Sequence, residues 1–318
     1  MSELIIQILI LGGFIALLVK SAIFAIESIV KFSKITGIGE LAAGFVIVAV
    51  ATSTPEISVA FFSTASENIG ITLGDIFGSN VTNIALISAI FLLISPIKKI
   101  EHKTLRTMLP LLLASSAIPL LLLMTQDGTK FIGVALLAVF GFFLYYVFKF
   151  HPSEQKERVG GSAIKPLVYF FIGISLVIVS SKFIVDSASF LAESTGIRES
   201  VIGATVVAIG TSLPELTIDI VAVKRRHLDL ALGDIVGSCI SNITLVLGIV
   251  LVLSSVSINF GILSSLIGFA MIAPFALFVF IRKALVKKWH SFLLFGIYAA
   301  FLLTIYEIQL HIGGIKIG

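Results

Sequence analysis

The chain has 318 residues, 58% of them hydrophobic and only 13% charged, with a mean hydropathy of +1.13. That balance excludes an ordinary soluble domain and fits an all-α protein that crosses a bilayer several times. The net charge of +4 does not argue for a nucleic-acid partner, because the basic residues flank apolar runs, and the single cysteine, Cys239, allows no intramolecular disulfide.

The opening Met1-Ser2-Glu3 places no basic residue ahead of the first apolar run, so that run is expected to stay as a helix and not to be removed as a signal peptide. Apolar runs of about the length needed to span a bilayer fall at 5–30, 41–63, 69–95, 107–124, 131–149, 166–191, 200–223, 228–254, 260–281 and 290–306. The pattern predicts ten transmembrane helices. The first and sixth are the longest, which lets them tilt in the membrane.

Two stretches inside this series occur twice. Gly44 to Glu56 reads G-F-V-I-V-A-V-A-T-S-T-P-E, and Gly203 to Glu215 reads G-A-T-V-V-A-I-G-T-S-L-P-E. Further on, Leu73 to Ile84 (L-G-D-I-F-G-S-N-V-T-N-I) matches Leu232 to Ile243 (L-G-D-I-V-G-S-C-I-S-N-I). Both matches keep an offset of 159, and 15 of the 25 paired positions are identical, which marks an internal duplication. The same register pairs Glu27 with Asp186 and the Thr36-Gly37-Ile38 run with residues 195–197. The expected organisation is a first five-helix repeat over 1–150 with its motif at about 44–84, a linker over 151–165, and a second five-helix repeat over 166–318 with its motif at about 203–243.

The two repeats are expected to be inverted. Alternate loops, starting after the first helix, hold seventeen of the Lys and Arg residues, among them Lys103, Arg158, Arg225 and Lys287; the opposite side holds only Lys130, Arg198 and Lys316. By the positive-inside rule the rich side is cytoplasmic and both termini are extracytoplasmic. Five helices per repeat is an odd number, so the second copy inserts upside down relative to the first. The predicted fold is therefore two inverted five-helix repeats in a multi-pass protein of the cell membrane.

Each motif carries a proline and a glutamate within an apolar run. Proline removes a backbone hydrogen bond, so Pro55 should free the carbonyl of Ala51, and Pro214 that of Gly210. Thr52 and Glu56 are four apart and share a helix face, as do Thr211 and Glu215. Irregular backbone is tolerated in a membrane only where protein buries it or where it lines a cavity. Two carboxylates, hydroxyls and loosened carbonyls are hard oxygen ligands, and an intramembrane carboxylate is a functional candidate by default. The combination predicts a cation site. Asp75, Ser79 and Asn83 recur at four-residue spacing, as do Asp234, Ser238 and Asn242, each trio along one helix face; Gly74 and Gly78, with Gly233 and Gly237, have the spacing that lets helices approach closely.

The A-T-S-T-P-E and G-T-S-L-P-E stretches, with G-S-N-V-T-N and G-S-C-I-S-N, resemble the paired repeats of the sodium/calcium exchangers, in the compact prokaryotic branch of the calcium/cation antiporter superfamily. The resemblance covers nearly the whole chain. It implies an antiporter, not an enzyme, that exchanges calcium for sodium by alternating access, with no cofactor beyond the transported ions. It implies that Glu56 and Glu215 bind calcium with the backbone oxygens of Thr52 and Thr211. It further implies that sodium uses the same carboxylates with Ala49, Ser53, Ser79, Ala208, Ser212 and Ser238, that Asn83 and Asn242 flank the centre, and that the long first and sixth helices move.

The chain departs from the family pattern at Asn83 and Asn242, where some members have aspartate, at Asp75 and Asp234, where asparagine is expected, and at Asp219, where a small residue is usual. The last three are candidate pathway acids for cations or protons, or else they cap helices or pair with Lys224 or Arg225. The alternative within transport is proton/calcium exchange. From other classes come a channel and a membrane-embedded hydrolase using Glu56 and Glu215 as an acid pair; against the hydrolase, no H-E-x-x-H or nucleophile–base motif is present. The expected partners are calcium and sodium ions, with protons under the alternative, and the lipid bilayer around a monomer.

Overall fold

A computed structural model of the chain describes residues 2–65, 69–94, 103–124, 129–150, 160–194, 208–254, 260–282 and 288–313. Residues 203–207 of the second motif, the 195–197 run and 151–159 of the linker, with Arg158, fall outside them. So do Lys98, Lys99, Arg198, Lys283, Lys287 and Lys316.

The described residues are helical almost throughout. We number the α-helices α1 (Ser2–Thr36), α2 (Glu40–Ala43), α3 (Ala49–Thr52), α4 (Thr54–Ala65), α5 (Ile69–Val81), α6 (Ser88–Ile94), α7 (Lys103–Ala117), α8 (Thr129–Phe150), α9 (Ile164–Ser194), α10 (Ala208–Thr211), α11 (Leu213–Lys224), α12 (Leu228–Ser241), α13 (Leu247–Leu253), α14 (Phe260–Arg282) and α15 (Trp289–Gly313). Three π-helical turns join neighbours: Gly44–Val48 between α2 and α3, Thr82–Ile87 between α5 and α6, and Asn242–Val246 between α12 and α13. A 3-10 stretch, Ile118–Leu123, follows α7.

Six spans among the described residues are long and apolar enough to cross a membrane: Leu9–Thr36, Leu73–Ile94, Lys130–Val147, Ile164–Ile184, Leu228–Leu253 and Trp289–Glu307. A seventh is the bent pair Glu40–Thr52 and Thr54–Phe61, whose axis turns by 41°. Leu109–Leu123 and Ser264–Phe280 are shorter apolar helices. Three of the predicted runs are not regular helices throughout: the second and seventh are interrupted at Ser53 and Ser212, and the fourth changes to 3-10 geometry at Ile118.

The chain packs as two compact units, Met1–Ile57 with Gly141–Ser238, and Ser58–Phe140 with Cys239–Gly318. Each takes segments from both sequence repeats, so the packing units cut across the duplication.

In the first unit, α1 and α9 lie against each other along their lengths. At 35 and 31 residues they extend to about 50 and 45 Å at 1.5 Å per residue, well beyond a hydrocarbon core of about 30 Å. Gly173 sits directly on Ala25, and Phe14 stacks on Phe183 with ring centroids 4.3 Å apart. α1 ends where Gly37 turns to φ 75°, a left-handed conformation that glycine adopts freely. The Gly37 N–H donates to the Ser33 carbonyl at 2.9 Å, which satisfies one oxygen left at the helix end, and the Ser33 hydroxyl donates to the Ile38 carbonyl just beyond it.

The closest helix approach in this unit sets up the functional region. A Cβ on Gly233 would overlap the Leu41 carbonyl oxygen, and one on Gly237 the Phe45 carbonyl oxygen; a Cβ on Gly44 would strike that of Leu230. The glycines spaced by four along α12 therefore admit the backbone of α2 and its π-turn directly against it. The matching glycines of the first repeat differ. Gly74 has no atom within 4 Å, and Gly78 meets only the edge of Phe301 at 3.8 Å.

In the second unit, α5, the turn Thr82–Ile87 and α6 pack with α14 and α15. Asn80 and Cys239, repeat partners at an offset of 159, touch: the Asn80 side-chain amide donates to the Cys239 carbonyl at 3.1 Å, and the Cys239 thiol to the Asn80 carbonyl at 3.8 Å.

The glycine contrast is testable with matched substitutions. Gly233→Ala forces Cβ into a carbonyl oxygen and should lower stability by about 1–3 kcal/mol, as overpacking does. Gly74→Ala, at the equivalent position, should stay within about 0.5 kcal/mol of the parent. Thermal unfolding of the detergent-purified variants measures both.

Candidate functional site

The site is built where the second and seventh apolar runs break. The backbone leaves helical geometry at Ser53 (φ −73°, ψ 9°) and resumes in α4; it does the same at Ser212 (φ −86°, ψ 7°) before α11. Pro55 and Pro214 therefore lie in the first turns of new helices, where a missing N–H leaves no bond unmade. Proline at mid-helix was the expectation, and the break moves it.

Pro55 was expected to free the carbonyl of Ala51; the break at Ser53 removes that role, and the carbonyl accepts from the Thr54 hydroxyl at 2.7 Å. Nothing in the motif spacing pointed to Thr54. The Ala49 carbonyl accepts from the Ser53 N–H at 3.1 Å and keeps a second lone pair. Thr52 is buried, with its hydroxyl within reach of the Val48 carbonyl (3.1 Å), the Ala49 carbonyl (3.3 Å) and Asp234 Oδ1 (3.4 Å), of which it can serve one at a time.

Four acids of the first unit gather here. Glu56 is 0% exposed, and Glu215, Asp219 and Asp234 are also buried. Glu215 lies within electrostatic range of Glu56, its repeat partner, and of Asp234 and Asp219. Neither carboxylate oxygen of Glu215 receives a hydrogen bond from another described residue. The Ser53 hydroxyl, on the same break, is buried and without a partner among the described residues. Ser212 is buried beside its own break and Thr211 half-buried; Ala208 opens α10.

Asp219 and Asp234 are placed differently from what pairing or capping requires. Arg225 is engaged by Glu27 at 2.5 Å, and Asp219 takes no hydrogen bond from it or from Lys224; instead its carboxyl faces that of Asp234 within hydrogen-bonding range. Asp75 and Asp234 both sit in helix interiors, away from the first turns, so neither caps its helix. Asp234 Oδ1 accepts from Ser238 at 3.3 Å as well as from Thr52. Asp75 is half-buried and belongs to the second unit.

The remaining expected ligands, Ser79, Asn83 and Asn242, are buried in the second unit. Both asparagine side chains have an amide nitrogen and oxygen without partners among the described residues. Each stands in a π-helical turn, at corresponding places in the two repeats. Such turns are frequent at functional sites, and no spacing in the motifs signals them. Tyr298 hydrogen-bonds Thr82 in the first of these turns.

Among the described residues no three His, Cys, Asp or Glu side chains converge as a metal-ligating cluster. The acids of the first unit work as pairs, supplemented by hydroxyl and carbonyl oxygens. That donor set suits hard cations such as calcium or sodium.

A multi-pass helical protein with acids buried at broken helices belongs to the class of membrane ion transporters. The sodium/calcium exchanger protein family model matches residues 6–149 and 165–307, nearly the entire chain. The chain belongs to the sodium/calcium exchanger family, and it is a transporter, not an enzyme. It is 28% identical over 349 aligned positions to the sodium/calcium exchanger MaX1 of Methanosarcina acetivorans, covering 95% of this chain and 98% of that protein. It is 33% identical to the inner membrane protein YrbG of Escherichia coli over 67% of this chain and 69% of YrbG. The solved structure of the sodium-calcium exchanger NCX_Mj, soaked with zero Na+ and Ca2+, superposes with a TM-score of 0.83 at 25% identity, over 95% of this chain and 99% of that one.

Removing one buried charge should be decisive here. Glu56→Gln or Glu215→Gln keeps side-chain size but deletes one of two carboxylates opposing a divalent ion. Each should reduce sodium-driven calcium uptake on the order of 100-fold or more, because two unit charges in a partly buried site interact by several kcal/mol. Near-native uptake by either variant in proteoliposomes would exclude a shared carboxylate site.

Proposed function

We propose that the chain exchanges calcium for sodium across the cell membrane, the two ions competing for one oxygen-lined site at Glu56 and Glu215. The observation that carries this reading is the approach of these two repeat-related, buried acids at matched helix breaks. Calcium takes about 6–8 oxygen ligands and favours a pair of carboxylates. In the proposed assignment Glu56 and Glu215 bind calcium with the carbonyls of Thr52 and Thr211. Sodium uses the same acids with Ala49, Ser53, Ser79, Ala208, Ser212 and Ser238, and Asn83 and Asn242 flank the centre.

The proposed architecture is ten transmembrane helices in two inverted repeats, 1–150 and 166–318, joined by the cytoplasmic linker 151–165. Three features support it: the meeting of Asn80 with Cys239, the matched breaks at Ser53 and Ser212, and the matched π-turns that hold Asn83 and Asn242. Contacts between counterparts are what a twofold relation between repeats produces. The long, mutually packed α1 and α9 are the elements we assign to movement between inward- and outward-open states. Loading by either ion set neutralises the buried acids, which lowers the barrier to that movement.

Two measurements test this. Calcium uptake into proteoliposomes should follow an outward-directed sodium gradient and stay at background when an equal potassium gradient replaces it; uptake without a counter-ion would indicate a channel. With both termini extracytoplasmic, a cysteine introduced as Arg158→Cys should react with an impermeant thiol reagent only after cells are opened, and prompt labelling of intact cells would overturn the orientation.

A further inference from the structure

Asp219 and Asp234 lie outside the ligand set just proposed, and their geometry calls for a positive charge between them, a cation or a shared proton, that no described side chain donates. Asp219 is 1% exposed, and neither of its carboxylate oxygens receives a hydrogen bond from any N–H or O–H among the described residues. The group it faces at hydrogen-bonding range is another carboxyl, that of Asp234, itself 0% exposed. Two buried carboxylates face to face repel, and an uncompensated buried charge is among the costliest features a protein can hold. Neighbouring cations do not relieve it, since Arg225 is held by Glu27 and His227 by Glu40 at 3.0 Å.

The surroundings of the pair are those of a built site. The Ser238 hydroxyl donates to one oxygen of Asp234, Oδ1, at 3.3 Å, and the Thr52 hydroxyl lies 3.4 Å from the same oxygen while also within reach of the Val48 and Ala49 carbonyls. That leaves Asp234 Oδ2 and both oxygens of Asp219 without donors, and the two hydroxyl oxygens keep lone pairs for a cation. The close approach of α12 to α2 at Gly233 and Gly237 brings Asp234, which lies between those glycines, towards Thr52.

We propose that Asp219 and Asp234, with the hydroxyl oxygen of Thr52, form a further sodium-binding site beside the Glu56–Glu215 pair, with Ser238 shared between the two. Sodium fits because the oxygens beside the two carboxylates are hydroxyls, without the backbone carbonyls that complete the calcium set assigned to Glu56 and Glu215. Glu215 lies within electrostatic range of both aspartates, so an ion held there changes the field at the central carboxylates. In the exchanger this couples one more sodium to the transport cycle, an extension that rests on the sodium/calcium reading above. Asp219 has alanine, Ala60, at its place in the first repeat, so the site exists on one side of the duplication only.

The test is a count of bound sodium. Equilibrium dialysis of the detergent-purified full chain against 22Na+, at saturating sodium, without calcium and at pH 8, gives ions bound per chain. Asp219→Asn should bind one ion fewer than the parent, and Asp186→Asn, which removes an exposed acid on α9, should bind the parental number. If Asp219→Asn does not purify as a monodisperse protein, Asp234→Asn takes its place with the same expectation. An unchanged sodium count overturns the proposal, and so does an unchanged count accompanied by a shifted pH dependence of calcium binding, which would assign the pair to a proton. A parent that binds no sodium sinks the exchanger reading itself; a parent that binds sodium irrespective of Asp219 sinks only this inference.

Discussion

The constraint behind the first unit is the burial of carboxylates close to one another. Glu56, Glu215, Asp219 and Asp234 are all withdrawn from solvent, and Arg225, close to Asp219 in sequence, is engaged by Glu27. At an effective dielectric of about 20, two like charges about 4 Å apart repel by roughly 4 kcal/mol. A fold of marginal stability does not carry several such terms without a compensating ion. In the proposed reading, cation binding relieves this repulsion as well as serving function. An empty transporter in this state resists moving its site through the membrane, and a loaded one does not, which is what strict exchange requires.

The rest of the unit serves to hold those acids at depth. The breaks at Ser53 and Ser212 end one helix and start the next, which turns Glu56 and Glu215 into first-turn residues. There the positive end of the helix dipole favours a carboxylate. Prolines at these positions fix the restart without leaving a donor unpaired. The glycines of α12 remove the side chains that would otherwise separate Asp234 from Thr52. The ion pair of Arg225 with Glu27, and the contact of His227 Nδ1 with Glu40 at 3.0 Å, then tie the end of α11 and the start of α12 to α1 and α2. Arg225 and Glu27 are substantially exposed, so this tie is worth little in itself, and its effect is to withhold the cation from Asp219.

Much of this was legible in the sequence because duplication writes the same signal twice. The T-S-x-P-E motif located both breaks and both glutamates, and the long first and sixth runs correspond to α1 and α9. What stayed hidden depended on contacts between segments distant in sequence. No spacing rule reveals that Thr54 satisfies the Ala51 carbonyl, or that the helices carrying Asn83 and Asn242 widen into π-turns. Equivalent glycines in the two motifs behave differently, because Gly233 meets a backbone and Gly74 does not. Asp219 was open to being read as the partner of a nearby arginine, since Lys224 and Arg225 follow it closely. Only the third dimension shows Arg225 turned to Glu27 and Asp219 turned to Asp234.

The central claim is that calcium and sodium occupy one carboxylate site in turn. Calcium binding to the purified chain, titrated by calorimetry at a series of fixed sodium concentrations, tests it most directly. The account predicts that the apparent calcium dissociation constant rises with sodium, more steeply than first power, while the number of calcium ions bound at saturation stays constant. A calcium affinity indifferent to sodium, or a calcium capacity that falls while affinity is unchanged, would contradict it.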